Sequence, residues 1–365
     1  MLYQAELLPD RTRATRRTGL PGLRQRRRYK RGAAGWQADS WNGSGAPMTA
    51  GSTPAPRHWE HDYLDLMRRI WEDGDERRDR TGVGTRSILG PMLRFDLADD
   101  RVPLLTTKRV FWKTAAREML WFLTGETNIR PLLQQGVTIW SDWPLARYRR
   151  ETGEPITQEA FERRIVEDAA FAASWGDLGP VYGRQWVDWP TYQPAGDGLY
   201  RRGPGINQVA RLVEGLRADP FGRRHIIEGW NVAELDRMAL PPCHKTYQFH
   251  VSGREGERRL HCLLTQRSCD VALGLPFNLF GAALLTRMVA AQAGYAPGEL
   301  VWCGGDTHLY LNHAALVATQ LAREPAGEPR LHLLRRPDTI FDYRIEDFAV
   351  TGYAPQPAIR AEVAV

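Results

Sequence analysis

Apolar residues along the chain fall into a few strongly periodic runs punctuated by glycine and proline. In WEHDYLDLMRRIWEDG, Tyr63, Leu64, Met67 and Ile70 to Trp71 recur at helical spacing and the run stops at Gly74, which predicts an amphipathic helix. TRSILGPMLRFDL alternates as a short strand or hairpin does. KTAAREMLWFLTG is a second helix stopped by glycine, and FNLFGAALLTRMVAAQAG is the longest apolar helix. HIIEGWNV, YQFHVSG and RLHCLLTQRS read as buried strands, and the arginine-rich, partly helical residues 144–178 as a surface insertion. Strands and helices mix without a regular βαβ repeat, so the pattern predicts an α+β fold, a mixed sheet packed with helices, over a doubly wound one. No internal repeat, no G-x-G-x-x-G after a strand and no GxxxxGK[ST] is found, so dinucleotide and nucleoside triphosphate loops are unsupported.

Composition changes this picture only at the N-terminus. The chain of 365 residues, 42% hydrophobic and 25% charged, has the make-up of a soluble globular protein. It has no run of 18 apolar residues and no secretory signal, so no membrane span is expected. Four cysteines without a CxxC pair, Cys243, Cys262, Cys269 and Cys303, suit a reducing, cytoplasmic setting better than a disulfide scaffold or a zinc site. Residues 1–31 carry a net +8 against +6 for the whole chain, which leaves the remainder at about −2. The pI near 9.2 therefore describes a tail. Residues 32–56, rich in Gly, Ala, Ser and Pro, read as linker, so residues 1–56 are expected to be a disordered extension before one catalytic domain over 57–365, with Met48 a candidate start. Such a basic tail also allows contact with nucleic acid.

Several polar clusters carry candidate chemistry. In ALPPCHKTYQF two prolines fix the backbone ahead of Cys243, presenting a thiol on a rigid loop; the competing reading is an inert core cysteine. QRSCDVALGLPFN supplies Arg267 and Ser268, a pair suited to phosphate oxygens, and Asn278, whose amide complements a uracil edge; the alternative is a polar turn capping the long helix. Arg80 lies in DRTGVGT, and Arg223 with Arg224 in DPFGRRH. Asp306, His308 and Tyr310 alternate, so along a strand all three point to one face. That set suits a sugar hydroxyl better than a metal, because no carboxylate–histidine group at ligand spacing accompanies it. Glu118 sits inside an apolar helical run, where a carboxylate is paired or has a raised pKa.

Together these segments resemble the folate-dependent, flavin-independent thymidylate synthase family. The resemblance runs from about Trp59 to Val365 through DRTGVGT, PLLTTKR, EMLWFLTGETNI, TIWSDW, DLGPVYGRQW, GRRHII, MALPPCH, QRSCDVALGLPFN, GGDTHLYLNH, IFDYRIEDF and GYAPQPAIRAEVAV, in the family's order. It implies reductive methylation of dUMP to dTMP, with 5,10-methylenetetrahydrofolate giving both carbon and hydride and leaving as dihydrofolate. No flavin, nicotinamide or metal is implied. Cys243 is implied to add to carbon six of the uracil, Glu118 to manage proton transfers through water, and Tyr182 to assist removal of the ring proton. Arg80, Arg267 and Ser268 should hold the 5′-phosphate, joined by Arg223 and Arg224 from the other subunit of a homodimer built on a sheet face. Asn278 should read the base, and His308 and Tyr310 the 3′-hydroxyl. Ile139, Trp140, Trp143, Asp270 and Leu273 should line the folate site, with Lys108 near its glutamate tail and the Val365 carboxylate closing over the ligands.

The sequence departs from the family pattern at Phe111, Val187, Glu228 and Lys245, and Lys245 could pair with Glu228 on the expected interface strand. Two other readings stand beside the synthase. A dUMP 5-hydroxymethylase would add water in place of hydride, and a nucleic-acid-binding regulatory protein would keep a vestigial site and use the basic tail.

Overall fold

The computed structural model describes residues 57–78 and 82–361; the expected extension over residues 1–56, and the site candidates Arg80 and Val365, fall outside them. Contacts divide the chain into two units, the larger formed by 58–193 and 202–365. Within the smaller unit, the described residues 194–201 turn through Asp197 and Gly198, both at positive φ.

The larger unit is α+β. Its main sheet has seven strands, in the order Asp75–Arg77, Thr85–Leu89, Ala296–Tyr310, Arg259–Asp270, His244–Ser252, Ile226–Glu228, with Met92–Asp96 pairing further along Ala296–Tyr310. Arg259–Asp270 and Ala296–Tyr310 run parallel and the other pairs antiparallel, so the sheet is mixed. The TRSILGPMLRFDL segment is not a hairpin. Its two halves lie end to end along the same neighbour, Leu89 opposite Asp306 and Met92 opposite Cys303. Gly90 at φ 76 and Pro91, which has no N–H to give the ladder, make the break between them.

Alternation sorts the sheet into two faces. Tyr247, Leu264, Trp302 and Leu93 form one cross-strand row, Phe249, Cys262, Leu300 and Phe95 the next, and all are buried. Against them packs the Gly274–Ala293 helix, apolar on every side. It is the one described helix long and apolar enough to cross a membrane, and it lies inside the fold. Its buried Arg287 is satisfied by Asp100 and by the carbonyls of Leu97 and Arg101. On the opposite face the rows Gln248, Leu263, Val301, Arg94 and Thr246, Thr265, Cys303, Met92 remain partly or wholly exposed.

Residues 142–175 form three helices, Asp142–Thr152, Gln158–Glu167 and Ala169–Trp175. They close on an aromatic cluster in which Tyr148 meets Phe161, Phe171 and Trp175 edge-on or tilted, and Arg164 lies over Phe171. Thr157 and Asp168 cap the second and third helices.

Candidate active site

Cys243 ends the Pro241–Pro242 loop where the strand His244–Ser252 begins, so its position is set by two residues with fixed φ and by the sheet ladder. Its amide donates to the Tyr182 hydroxyl at 2.7 Å, and its carbonyl accepts from the Arg267 amide at 2.9 Å. The Arg267 guanidinium folds back onto the same loop. It donates to the carbonyls of Pro242 and Pro241 at 2.9 and 2.6 Å, stands 3.8 Å from Cys243 Sγ, and stacks on Trp230. The thiol is half-buried, whereas Cys262 and Cys269 are enclosed and burial pushes their thiols up, Cys262 to about 12.

Facing this corner is the Trp112–Thr124 helix. Burial raises its Glu118 to about 7, and the Trp140 indole donates to the carboxyl at 2.8 Å. Tyr182 fills the space between: its ring stacks on Phe122 with centroids 4.8 Å apart, lies 5.0 Å from the His244 ring, and is driven well above the usual tyrosine range by burial and by Cys243. Enclosure lowers His244 to about 4. Trp140 and Trp143 pack 5.3 Å apart, Trp140 buried, and the adjoining Ile139 is 38% exposed.

On the sheet, Ser268 lies opposite Asp306 and Asp270 opposite His308. Asp306 and His308 are hydrogen-bonded at 3.2 Å, and Tyr310 meets the His308 ring edge-on, in keeping with a shared face. Arg77 joins them through Asp306 at 2.9 Å. Asp270 accepts from the amides of Ala272 and Leu273, forming the turn into the long helix. Asn278, one turn into that helix, accepts from Gln266 at 2.8 Å. Lys108 is turned inward onto the Ala272 carbonyl, and burial lowers it to about 8. Glu60, fully buried, accepts from the amides and hydroxyls of Thr106 and Thr107 and so holds the loop that carries Lys108. Arg223 and Arg224 are exposed. They line a pocket of about 990 Å³ with Trp189, Phe221 and Ile226, and among the described residues no hydrogen bond or ion pair joins them to Arg267 or Ser268.

Three polar residues escaped the sequence reading. Gln266 had a visible signal, since Leu260, Cys262 and Leu264 set the inward phase of the strand and Gln266 continues it as a polar residue only 2% exposed. Arg77 and Glu60 had none, because each acts through partners distant in sequence. The expected Lys245–Glu228 pair is not made. The unbroken register of Ile226–Glu228 against the strand His244–Ser252 places Thr246 opposite Glu228, whose carboxylate accepts from the Thr246 hydroxyl and the Trp230 amide.

Comparison with known proteins agrees with this geometry. Residues 61–365 match the family model for thymidylate synthase. The chain is 72% identical over 310 residues to the thymidylate synthase of Novosphingobium aromaticivorans, covering 85% of this chain and 98% of that protein. It is 67% identical over 309 residues to that of Sphingopyxis alaskensis, at 84% and 98% coverage, and 57% identical over 306 residues to that of Zymomonas mobilis, at 84% and 99%. An indole-bonded carboxyl of raised pKa opposite a loop-borne thiol, in a chain matched over this length, has one reading: the chain belongs to the thymidylate synthase family, the methyltransferases that convert dUMP to dTMP with 5,10-methylenetetrahydrofolate.

Proposed function

We propose that the family's reductive methylation of dUMP runs in this chain on Cys243, and the observation that carries this is the convergence of Arg267, Tyr182 and the two prolines on that one residue. A guanidinium beside sulfur stabilises negative charge on it. The thiolate adds to carbon six of the uracil, which makes carbon five nucleophilic, and leaves again when the product forms. The folate supplies the one-carbon unit and the hydride and departs as dihydrofolate. Glu118, balanced near neutrality, holds or releases a proton through water, and Tyr182 orients the base that removes the proton from carbon five.

The binding roles are those the family resemblance implies. Arg267 and Ser268, with Arg80, take the 5′-phosphate; Asn278 takes the pyrimidine edge; His308 and Tyr310 take the 3′-hydroxyl. Ile139, exposed beside the packed Trp140 and Trp143, offers an apolar surface suited to a flat bicyclic folate ring, and Asp270 and Leu273 complete that site on this reading. Lys108 and Val365 complete the folate end, the latter as a closing lid.

The active unit is a homodimer in which Arg223 and Arg224 cross to the partner's phosphate site. Support comes from the partly exposed sheet face that carries Leu263, Val301 and Met92, and from the exposure of Arg223 and Arg224, which make no hydrogen bond or ion pair to Arg267 or Ser268 within one chain. The catalytic domain spans 57–365 with an insertion at about 144–178, follows a basic extension, and works in the cytoplasm. Product analysis tests the reaction. With dUMP and methylenetetrahydrofolate, dTMP and dihydrofolate in equal amounts are expected, and 5-hydroxymethyl-dUMP with tetrahydrofolate would overturn it.

A further inference from the structure

Tyr182 opens a six-residue helix, Tyr182–Val187, whose Gln185 is fully buried. The Gln185 amide nitrogen donates to the Pro180 carbonyl at 2.8 Å and to Glu234 Oε2 at 2.7 Å. Its Oε1 accepts from Asn231 Nδ2 at 3.0 Å, and the same Asn231 nitrogen lies 3.3 Å from Glu234 Oε2. The three side chains thus close a triangle in which every Gln185 donor and acceptor is used. Turning the amide over would set its oxygen against a carboxylate and a carbonyl, so its orientation is fixed. Asn231 and Glu234 are each 8% exposed, and Arg237 bonds the outer oxygen of Glu234 at 2.9 Å.

Two further observations show that the triangle joins the same pair of segments tightly. The Ala239 amide donates to the Leu178 carbonyl at 2.8 Å. Gly179, at φ 74, lies so close to the Arg237 carbonyl that a Cβ would meet it at 1.9 Å. From Ala239 only Leu240 and two prolines lead to Cys243, so little slack separates the clamp from the thiol. The Tyr182 hydroxyl, accepting from the Cys243 amide, closes the circuit.

We propose that Gln185, Asn231 and Glu234 are positioning residues for the methylation reaction: their buried triangle sets the distance between the Tyr182 hydroxyl and the Cys243 loop. This rests on Cys243 being the nucleophile. None of the three reaches the reacting atoms, so they act on the rate of the chemical steps and leave nucleotide affinity to the phosphate and base contacts.

The test is a charge-placement swap in the full-length enzyme. Gln185→Glu sets two carboxylates against each other and should lower kcat by about 30-fold or more, with KM for dUMP changed by less than about threefold, since small misplacements of reacting groups cost on this scale. Adding Glu234→Gln restores an amide opposite a carboxylate but leaves an oxygen facing the Pro180 carbonyl, so it should recover part of kcat, at least about threefold over the single variant. Alkylation of Cys243 without nucleotide, read by peptide mass, should slow in the single variant and recover in the double. Should Gln185→Glu not fold, Gln185→Met, which keeps the volume and drops the bonds, takes its place against Glu234→Gln alone, which keeps them. A folded variant lacking the triangle that keeps parental kcat, or a swap that recovers nothing, would overturn the proposal. Cys243→Ala measured alongside separates the two ideas: turnover there would sink the nucleophile itself.

Discussion

Gln266 Nε2 donates to Asn278 Oδ1 across 2.8 Å, and this bond decides which end of the Asn278 amide is left for a ligand. The orientation is inherited from the core. Trp302, an indole that can only donate, gives its N–H to Gln266 Oε1 at 2.9 Å, so Gln266 must present nitrogen to its other neighbours, Asn278 and the Ser268 carbonyl. Asn278 therefore keeps its NH₂ as the end not engaged by Gln266, a donor suited to a pyrimidine carbonyl.

Replacing the proposed nucleophile separates chemistry from binding. Cys243→Ala is expected to abolish turnover, to below about one part in a thousand, while dUMP still binds, because the guanidinium of Arg267 is held by the Pro241 and Pro242 carbonyls and does not need the thiol. Calorimetric titration with dUMP and a product assay read the two halves. Appreciable dTMP formation by the variant would remove Cys243 from the mechanism.

The parts of the fold legible in the sequence are those with a short period. Gly125 at φ 73 ends the Trp112–Thr124 helix as its position in FLTG indicates, and RLHCLLTQRS lies within the observed strand Arg259–Asp270. What stayed hidden depends on contacts distant in sequence. Tyr148, Phe161, Phe171 and Trp175 come from three different helices, so their shared core leaves no periodic trace, and the arginines between them suggest only surface. The register of two strands distant in sequence sets Thr246, and not Lys245, opposite Glu228. At the site, motif order pointed to Cys243, Glu118, Arg267 and Asn278, whereas the inward turn of Lys108 and the Glu60 clamp depend on partners distant in sequence.

Glu118 should make the ligand-free protein less stable as pH rises. Its folded pKa, about 7, lies above the unfolded value of 4.5 because burial disfavours the charge. The folded state then holds more protons between these values, so stability falls across that window and the full penalty is present above pH 7. Glu118→Gln removes it and keeps an oxygen for the Trp140 indole. The variant should gain up to about 3 kcal/mol above pH 7 and nothing near pH 4, while losing about two orders of magnitude in kcat. Urea midpoints at pH 4.5 and 8 decide the point; an equal gain at both would show that the carboxyl does not titrate this way.

Complementation tests the shared site. In a mixed dimer of Cys243→Ala with Arg223→Ala/Arg224→Ala, one site keeps its thiol and receives intact arginines from the partner. The other site lacks both. Random pairing of equal amounts makes half the dimers hybrid, so about a quarter of parental activity should return from two nearly inactive parents. Heterodimers confirmed by mass that recover no activity would show that the arginines serve their own chain.

The base is chosen, on this reading, by the Asn278 side chain, and Asn278→Asp should shift preference from dUMP toward dCMP. Gln266 Nε2 continues to donate to one carboxylate oxygen, held there by the Trp302–Gln266 bond, so the change falls on the other end, where an NH₂ becomes an oxygen. Cytosine presents an exocyclic amine where uracil presents a carbonyl. The new oxygen gains a donor from dCMP and meets lone-pair repulsion from dUMP, and mispaired buried polar groups cost about 1–3 kcal/mol. The ratio of kcat/KM for the two nucleotides should therefore move by at least about tenfold toward dCMP relative to the parent enzyme. Because Gln266 fixes the orientation, Gln266→Leu in the parent should blunt the dUMP preference without creating one for dCMP. If the ratio is unchanged in Asn278→Asp, the amide does not read the base, and the contacts that distinguish the two pyrimidines must come from backbone groups around the Cys243 loop.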